Sequence, residues 1–165
     1  MIAQLLPGLT LISALGCGLV GGIFLAFSSF VMAALARLTP EQGIAAMQSI
    51  NITVLNPLFL GLFMGTGGLC LLLIVLGLTR WQEPGMFFLL AGAVLYLIGT
   101  IAVTMICNVP LNDALAAVDP VSAQGASLWG SYLADWTKWN HARTIGATLA
   151  AIAFALAFRQ VGNAV

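Results

Sequence analysis

The groups in this chain that could do chemistry sit in two short stretches. One is Asn108–Val–Pro–Leu–Asn112–Asp113. The other runs from Trp129 to Arg143 and holds Trp129, Tyr132, Trp136, Trp139, Asn140, His141 and Arg143. Between Asn108 and Arg143 lie five of the ten charged residues, three of the four tryptophans and the one histidine. Indole faces stack on flat rings. A guanidinium flanked by amides stabilises negative charge developing on an oxygen. A carboxylate such as Asp113, or less readily the imidazole of His141, can take a proton.

Helical spacing decides which of these groups can meet. At about 100° per residue, Trp129, Tyr132, Trp136, Trp139, Asn140 and Arg143 share one face about 100° wide. Asp135 flanks that face, and Lys138 and His141 turn away from it. Asn108 and Asn112 are four apart and share a face if their stretch is helical. Asn56 could join them from the start of another helix, although Asn56–Pro57 also reads as a plain N-cap. These polar groups would then converge as a roof over one mouth of a helical bundle. Blander readings stand beside this one. Trp and Tyr favour membrane–water boundaries, so the aromatic residues also fit an interfacial belt. Asn108 also fits a cap on a turn leaving the membrane. A lone His141 without a paired carboxylate fits a structural role better than a metal site.

The elements that must position these residues follow from composition. Of 165 residues, 61% are hydrophobic and 6% are charged. A soluble domain carries about 25% charged residues, so lipid is the expected solvent. Residues 1–36, 42–79 and 84–112 contain no charge, and 144–158 form a fourth, shorter run. A helix needs roughly 20 apolar residues to cross the hydrocarbon core, and lipid leaves the backbone no other way to satisfy itself. The sequence therefore predicts one all-α integral membrane domain over 1–165: a four-transmembrane-helix bundle with spans at about 8–36, 56–78, 86–107 and 142–160. Arg143 stands just before a run only about 22 Å long if helical. Either Arg159 snorkels and the span extends past it, or Arg143 lies about a turn inside the boundary, where a guanidinium is expected to face a partner or a polar cavity.

The first and third connections, about 39–52 and 108–141, share one side of a four-span bundle and are expected to form a small helical cap. Thr39–Pro40–Glu41–Gln42 reads as a capping box, and Ile44, Met47, Asn51 and Val54 recur at helical spacing. Pro110 and Pro120 are expected to interrupt the third connection, with Ser122 capping a new helix; Pro110 is also compatible with the first turn of a short helix. Gly18–Gly22 and Gly61–Gly65 have the small-xxx-small spacing of helix-packing seams, and such faces could also serve a homo-oligomer. With Lys138 and Arg143 set aside as site residues, Arg80 and Arg159 place both termini in the cytoplasm and the cap on the outer face.

Several function classes drop out. Net charge is zero and the basic residues are scattered, which argues against a nucleic-acid partner. Cys17, Cys70 and Cys107 lie far apart in apolar runs, and no metal site is predicted. Gly16, Gly18 and Gly21 follow no strand and make no phosphate loop. No secretory leader is evident, because the first apolar run is too long and lacks a basic start. No nucleophile elbow is present.

Over about residues 10–158 the chain resembles the DUF1772 family of small membrane proteins, also called the anthrone oxygenase family. The resemblance rests on Asn56–Pro57, on Asn108–Val–Pro–Leu–Asn112, and on Trp129…Tyr132…Trp136–Thr–Lys–Trp139–Asn140–His141–Ala–Arg143. It implies the four-span fold and, through fungal members, oxidation of an anthrone methylene to a carbonyl with O₂ as co-substrate and no predicted cofactor. Two functions are carried forward. One is a membrane-embedded, cofactor-independent oxygenase acting on a lipophilic phenolic, anthrone-like or quinol-like molecule. In it, Trp136 and Trp139 stack on the substrate, with Asn56, Asn108, Asn112, Trp129 and Tyr132 around it. Arg143, with Asn140 and Asn108, holds its oxygen, and Asp113 or, less readily, His141 is the base. The other is a non-enzymatic membrane subunit or hydrophobic-ligand-binding protein in which Arg143 simply neutralises Asp113.

Overall fold

The computed structural model describes residues 2–162, with side chains from Leu5 onward, and the described residues are helical throughout apart from short turns. Helix α1 (Ile2–Ala26) runs through a π-helical stretch, Phe27–Val31, into a last α-turn, α2 (Met32–Leu35). Helix α3 (Pro40–Thr53) and α4 (Pro57–Thr79) follow. Helix α5 (Met86–Tyr96) continues through two further π-helical stretches, Leu97–Ala102 and Thr104–Asn108, into α6 (Val109–Ala116). Helix α7 (Ala123–Gly162) closes the chain. Four of these rods, Leu5–Leu35, Pro57–Thr79, Met86–Ala116 and Ala123–Gly162, are long and apolar enough to cross a membrane.

Local chemistry starts the helices where the sequence predicts. The Asn56 Oδ1 accepts the Phe59 amide at 3.0 Å and Pro57 takes the first helical position, where its missing N–H costs nothing. Ser122 Oγ accepts the Gly125 amide at 3.0 Å, ahead of α7. Thr39 Oγ1 accepts the Gln42 amide at 3.4 Å, but only this half of the expected capping box forms among the described bonds.

Two boundaries differ from the sequence reading. Pro110 does not interrupt anything: it lies in the first turn of α6, directly after a π-helical stretch, so the third span runs on into the cap as one rod. The fourth helix begins at Ala123 and not near 142. The residues from Trp129 to Arg143 are thus the cap-side half of a transmembrane rod. The cap itself is α3 and α6 laid against that half. Gln48 ties them, its Nε2 donating to the Leu115 carbonyl at 2.9 Å and the Val118 carbonyl at 3.0 Å, where the end of a helix leaves acceptors free. Ile44, Met47, Leu115, Trp129 and Tyr132 bury one another in this layer.

The rods meet elsewhere than the glycine motifs predict. Gly18, Gly22, Gly61 and Gly65 have open space where a Cβ would go, so they are not packing seams within the chain. The close crossing is Gly99 against Gly146, where a Cβ on Gly146 would stand 2.9 Å from the Gly99 backbone. No side chain fits between the third rod and α7 there, about one turn along α7 from Arg143.

Candidate functional site

Beside this crossing the rods part around a cavity of about 320 Å³. That lies at the small end of the range for small-molecule sites, roughly 300–1,000 Å³. Its walls are mostly apolar, with Phe24 and Phe27 from the first rod, Met47 and Ile50 from α3, and Phe59 and Phe63 from α4. Five polar residues interrupt them: Asn51, Thr104, Asn112, Asp113 and Arg143. Trp136 completes the α7 wall.

Arg143 is the centre of the arrangement. It is 5% exposed. Its guanidinium lies between two rings, 4.3 Å from the centroid of Phe24 and 4.9 Å from that of Trp136. One terminal nitrogen donates to Asn140 Oδ1 at 2.8 Å and the other to Thr104 Oγ1 at 3.4 Å, while Nε has no protein partner. The aromatic faces attract the cation, but no carboxylate balances it: among the described residues the one ion pair is Arg80 with Glu83, in the turn after α4. Asp113 lines the same cavity but is exposed at its rim. The expected Arg143–Asp113 neutralisation is therefore absent. A buried charge without a partner is costly, and one facing a cavity is a place for an anion.

The residues around Arg143 hold it in place. Asn140 spends its whole amide on this task. Its Nδ2 donates to the Phe24 carbonyl and to Ser28 Oγ, both at 2.7 Å, which leaves Oδ1 aimed at the guanidinium. Ser28 lies in the first π-helical stretch and Thr104 in the third. π-Helical turns are uncommon and frequent at functional sites, and here they bring both hydroxyls to the Arg143 level of α7. Asn112 Oδ1 accepts from Trp136 Nε1 at 2.8 Å and from the Tyr132 hydroxyl at 3.0 Å. Asn108 is buried and donates to the Trp136 carbonyl at 3.2 Å. The amides thus brace the aromatic wall and the guanidinium from both sides.

The aromatic ladder differs in one rung from the helical-wheel reading. Trp129 stacks on Tyr132 at 5.6 Å and Tyr132 on Trp136 at 6.5 Å. Trp139 is not in the ladder and does not line the cavity; it is half-buried outside, under the Lys138 ammonium at 5.4 Å. The predicted Trp136–Trp139 clamp is not formed: Phe27 of the first rod packs against Trp136 at 5.5 Å, and Trp139 lies at the edge of the stripe opposite Asn140, away from the side that the first rod covers. His141 is exposed in a shallow groove with Lys138 and Met32, on the far side of α7 from Arg143. It is out of reach of the cavity as a base. Asn56 is exposed and serves as the cap of α4, with its Nδ2 donating to the Thr53 carbonyl at 3.0 Å. It does not join the site.

Sequence reasoning missed Phe24, Ser28, Asn51 and Thr104. Asn51 was visible as a polar residue on the inner face of α3. The other three sit in charge-free apolar runs, where nothing in the sequence distinguishes them from lining of the bundle.

Comparison with known proteins bears on the same segment. Residues 59–153 match the family model described as anthrone oxygenase. That is more than half of the chain and includes Asn108, Asn112, Asp113 and all of Trp129–Arg143. No curated protein and no solved structure matches.

Proposed function

The chain belongs to the anthrone oxygenase family, and from that premise we propose that it is a membrane-embedded oxygenase for a lipophilic phenolic substrate whose ionised oxygen is held by Arg143. One observation carries the proposal: a buried guanidinium that faces a cavity, has a free Nε and lacks a carboxylate partner. The cavity walls of Phe59 and Phe63 offer a flat ring system an aromatic surface to pack on. A methylene placed between two rings and conjugated to a carbonyl loses a proton to Asp113, and the electron pair moves onto the carbonyl oxygen. Arg143, preorganised by Asn140 and Thr104, stabilises that oxyanion. The carbanion form adds O₂ at carbon to give a hydroperoxide. Loss of water then breaks the O–O and remaining C–H bonds and leaves a carbonyl. One CH₂ and one O₂ become one C=O and one H₂O, so no external reductant is needed. The chain itself supplies the oxyanion site, the base and an apolar cavity that limits bulk water.

The rim position of Asp113 supports a second reading, in which the same cavity binds an acidic lipophile without converting it. Oxygen consumption separates the two. Vesicles containing the protein and an anthrone should consume O₂ and form the anthraquinone. Arg143→Ala should lower that turnover by about 10²–10³-fold, the usual cost of an oxyanion donor, while the variant keeps its helical circular dichroism. Unchanged turnover in a folded variant would dismiss Arg143 from catalysis. Binding without O₂ consumption would favour the second reading. With Lys138 exposed outside the cavity, Arg37 and Lys138 on the cap side equal Arg80 and Arg159 on the other, so the basic residues do not set the orientation expected from the sequence.

A further inference from the structure

We infer that the cavity is loaded sideways from the bilayer, through a slot between α4 and the Thr104–Val109 stretch, so that its ligands are amphiphiles dissolved in the membrane. The inference rests on the cavity of the proposal above but not on the oxygenase chemistry.

The slot has two edges. Leu60 and Met64 are one turn apart on α4, and Met105 and Val109 are one turn apart on the third rod. All four line the cavity. Met64 and Met105 are nevertheless 56% and 57% exposed. A side chain that lines a cavity and is also open on the outside stands at a rim. The outside here is hydrocarbon, because both edges lie within charge-free runs that span the membrane.

The packing explains why the rods part at this level. Helix α4 packs along α5 but hardly touches Thr104–Asn108. Toward the cap the third rod is held instead by α7, through Thr104 to Arg143 and Asn108 to the Trp136 carbonyl. The two methionines are unbranched and can swing without strain, which suits a rim that admits ligands of varied outline. The polar ends of the cavity fit the same route. Asp113 and Leu55 mark its headgroup side and Arg143 its inner wall. An amphiphile sliding in from the bilayer would keep its apolar body against Phe59 and Phe63 and bring its acidic oxygen to the guanidinium.

Photolabelling tests this without any anthrone. The probe is 3-trifluoromethyl-3-phenyldiazirine dissolved in phosphatidylcholine vesicles that hold the full chain, with labelled residues mapped by mass spectrometry. The expected result is label on the interior residues Phe24 and Trp136 as well as on the lipid-facing Ile106. The paired variant Met64→Trp, Met105→Trp should lose the interior label and keep that on Ile106; both changes are at lipid-facing positions, where indoles are tolerated. Leu55→Trp, at the headgroup side, should keep the interior label. Absence of interior label in the unaltered chain, its persistence in the paired variant, or its loss in Leu55→Trp alone would each overturn the slot. Anthrone turnover in the same vesicles separates the two ideas. Turnover with a failed labelling pattern removes the slot and leaves the oxygenase; the expected labelling without turnover does the reverse.

Discussion

At the end of the bundle nearest the chain termini, Cys17, Val20, Cys70, Leu73, Leu89 and Phe154 are wholly buried against one another. The rods there are regular α-helix, and the buried side-chain hydrogen bonds are few: Tyr96 to the Phe63 carbonyl, and Thr10 back onto its own helix. At the cap end the same rods pass through three π-helical stretches, enclose a cavity and bury Asn108, Asn140 and Arg143. Dense packing is incompatible with a ligand site, and a ligand site needs fixed polar groups. The chain assigns the two tasks to opposite ends of one set of helices. The regular end holds the rods; the irregular end displaces side chains from the usual helical directions and makes room.

The Gly99–Gly146 crossing lies where the two regimes meet, and changing it should have the largest effect on the fold. Gly146→Ala would press a methyl on backbone that cannot move aside. It is expected to cost about 3 kcal/mol, the upper end for overpacking, seen as a lowered Tm in detergent. Gly65→Ala, at an open glycine, should leave Tm nearly unchanged. Equal effects would mean the crossing is not the point that fixes α7.

A smaller loss is expected from Asn112→Leu. It keeps the shape but leaves the Trp136 Nε1–H and the Tyr132 hydroxyl without their acceptor, a loss of about 1–3 kcal/mol. The cap end should loosen first. Hydrogen exchange in α6 should rise while amides in α5 stay protected; a uniform rise would show that the two ends are not separable.

The smallest effect belongs to His141→Ala. The exposed imidazole has no described partner, so Tm and anthrone turnover should both stay within about 0.5 kcal/mol of the unaltered chain. A marked loss of turnover would bring this side of α7 back into the chemistry.

Much of this was legible in the sequence, and the limits have physical causes. Four charge-free runs gave four spans, and Asn56–Pro57 and Ser122 gave two helix starts. The helical wheel put Trp129, Tyr132, Trp136, Asn140 and Arg143 on one buried face, where they are. The wheel could not say which part of that face the cavity would meet, and so it kept Trp139, which does not line it. Composition could not show the π-helical stretches, because they come from packing between rods rather than from residue type. Without them Ser28 and Thr104 look like any polar residue in an apolar helix. The seams were misplaced for a similar reason: glycine spacing marks faces that can approach, not the faces that do.

The central claim is that Arg143 makes this cavity an oxyanion site. The most direct test is the absorption spectrum of an anthrone bound in vesicles at neutral pH under anaerobic conditions, which halt the reaction before O₂ is used. With the unaltered chain the bound molecule should show its ionised, phenolate-type absorption, and with Arg143→Gln it should show the neutral form. A neutral spectrum in both, with binding intact, would contradict the account.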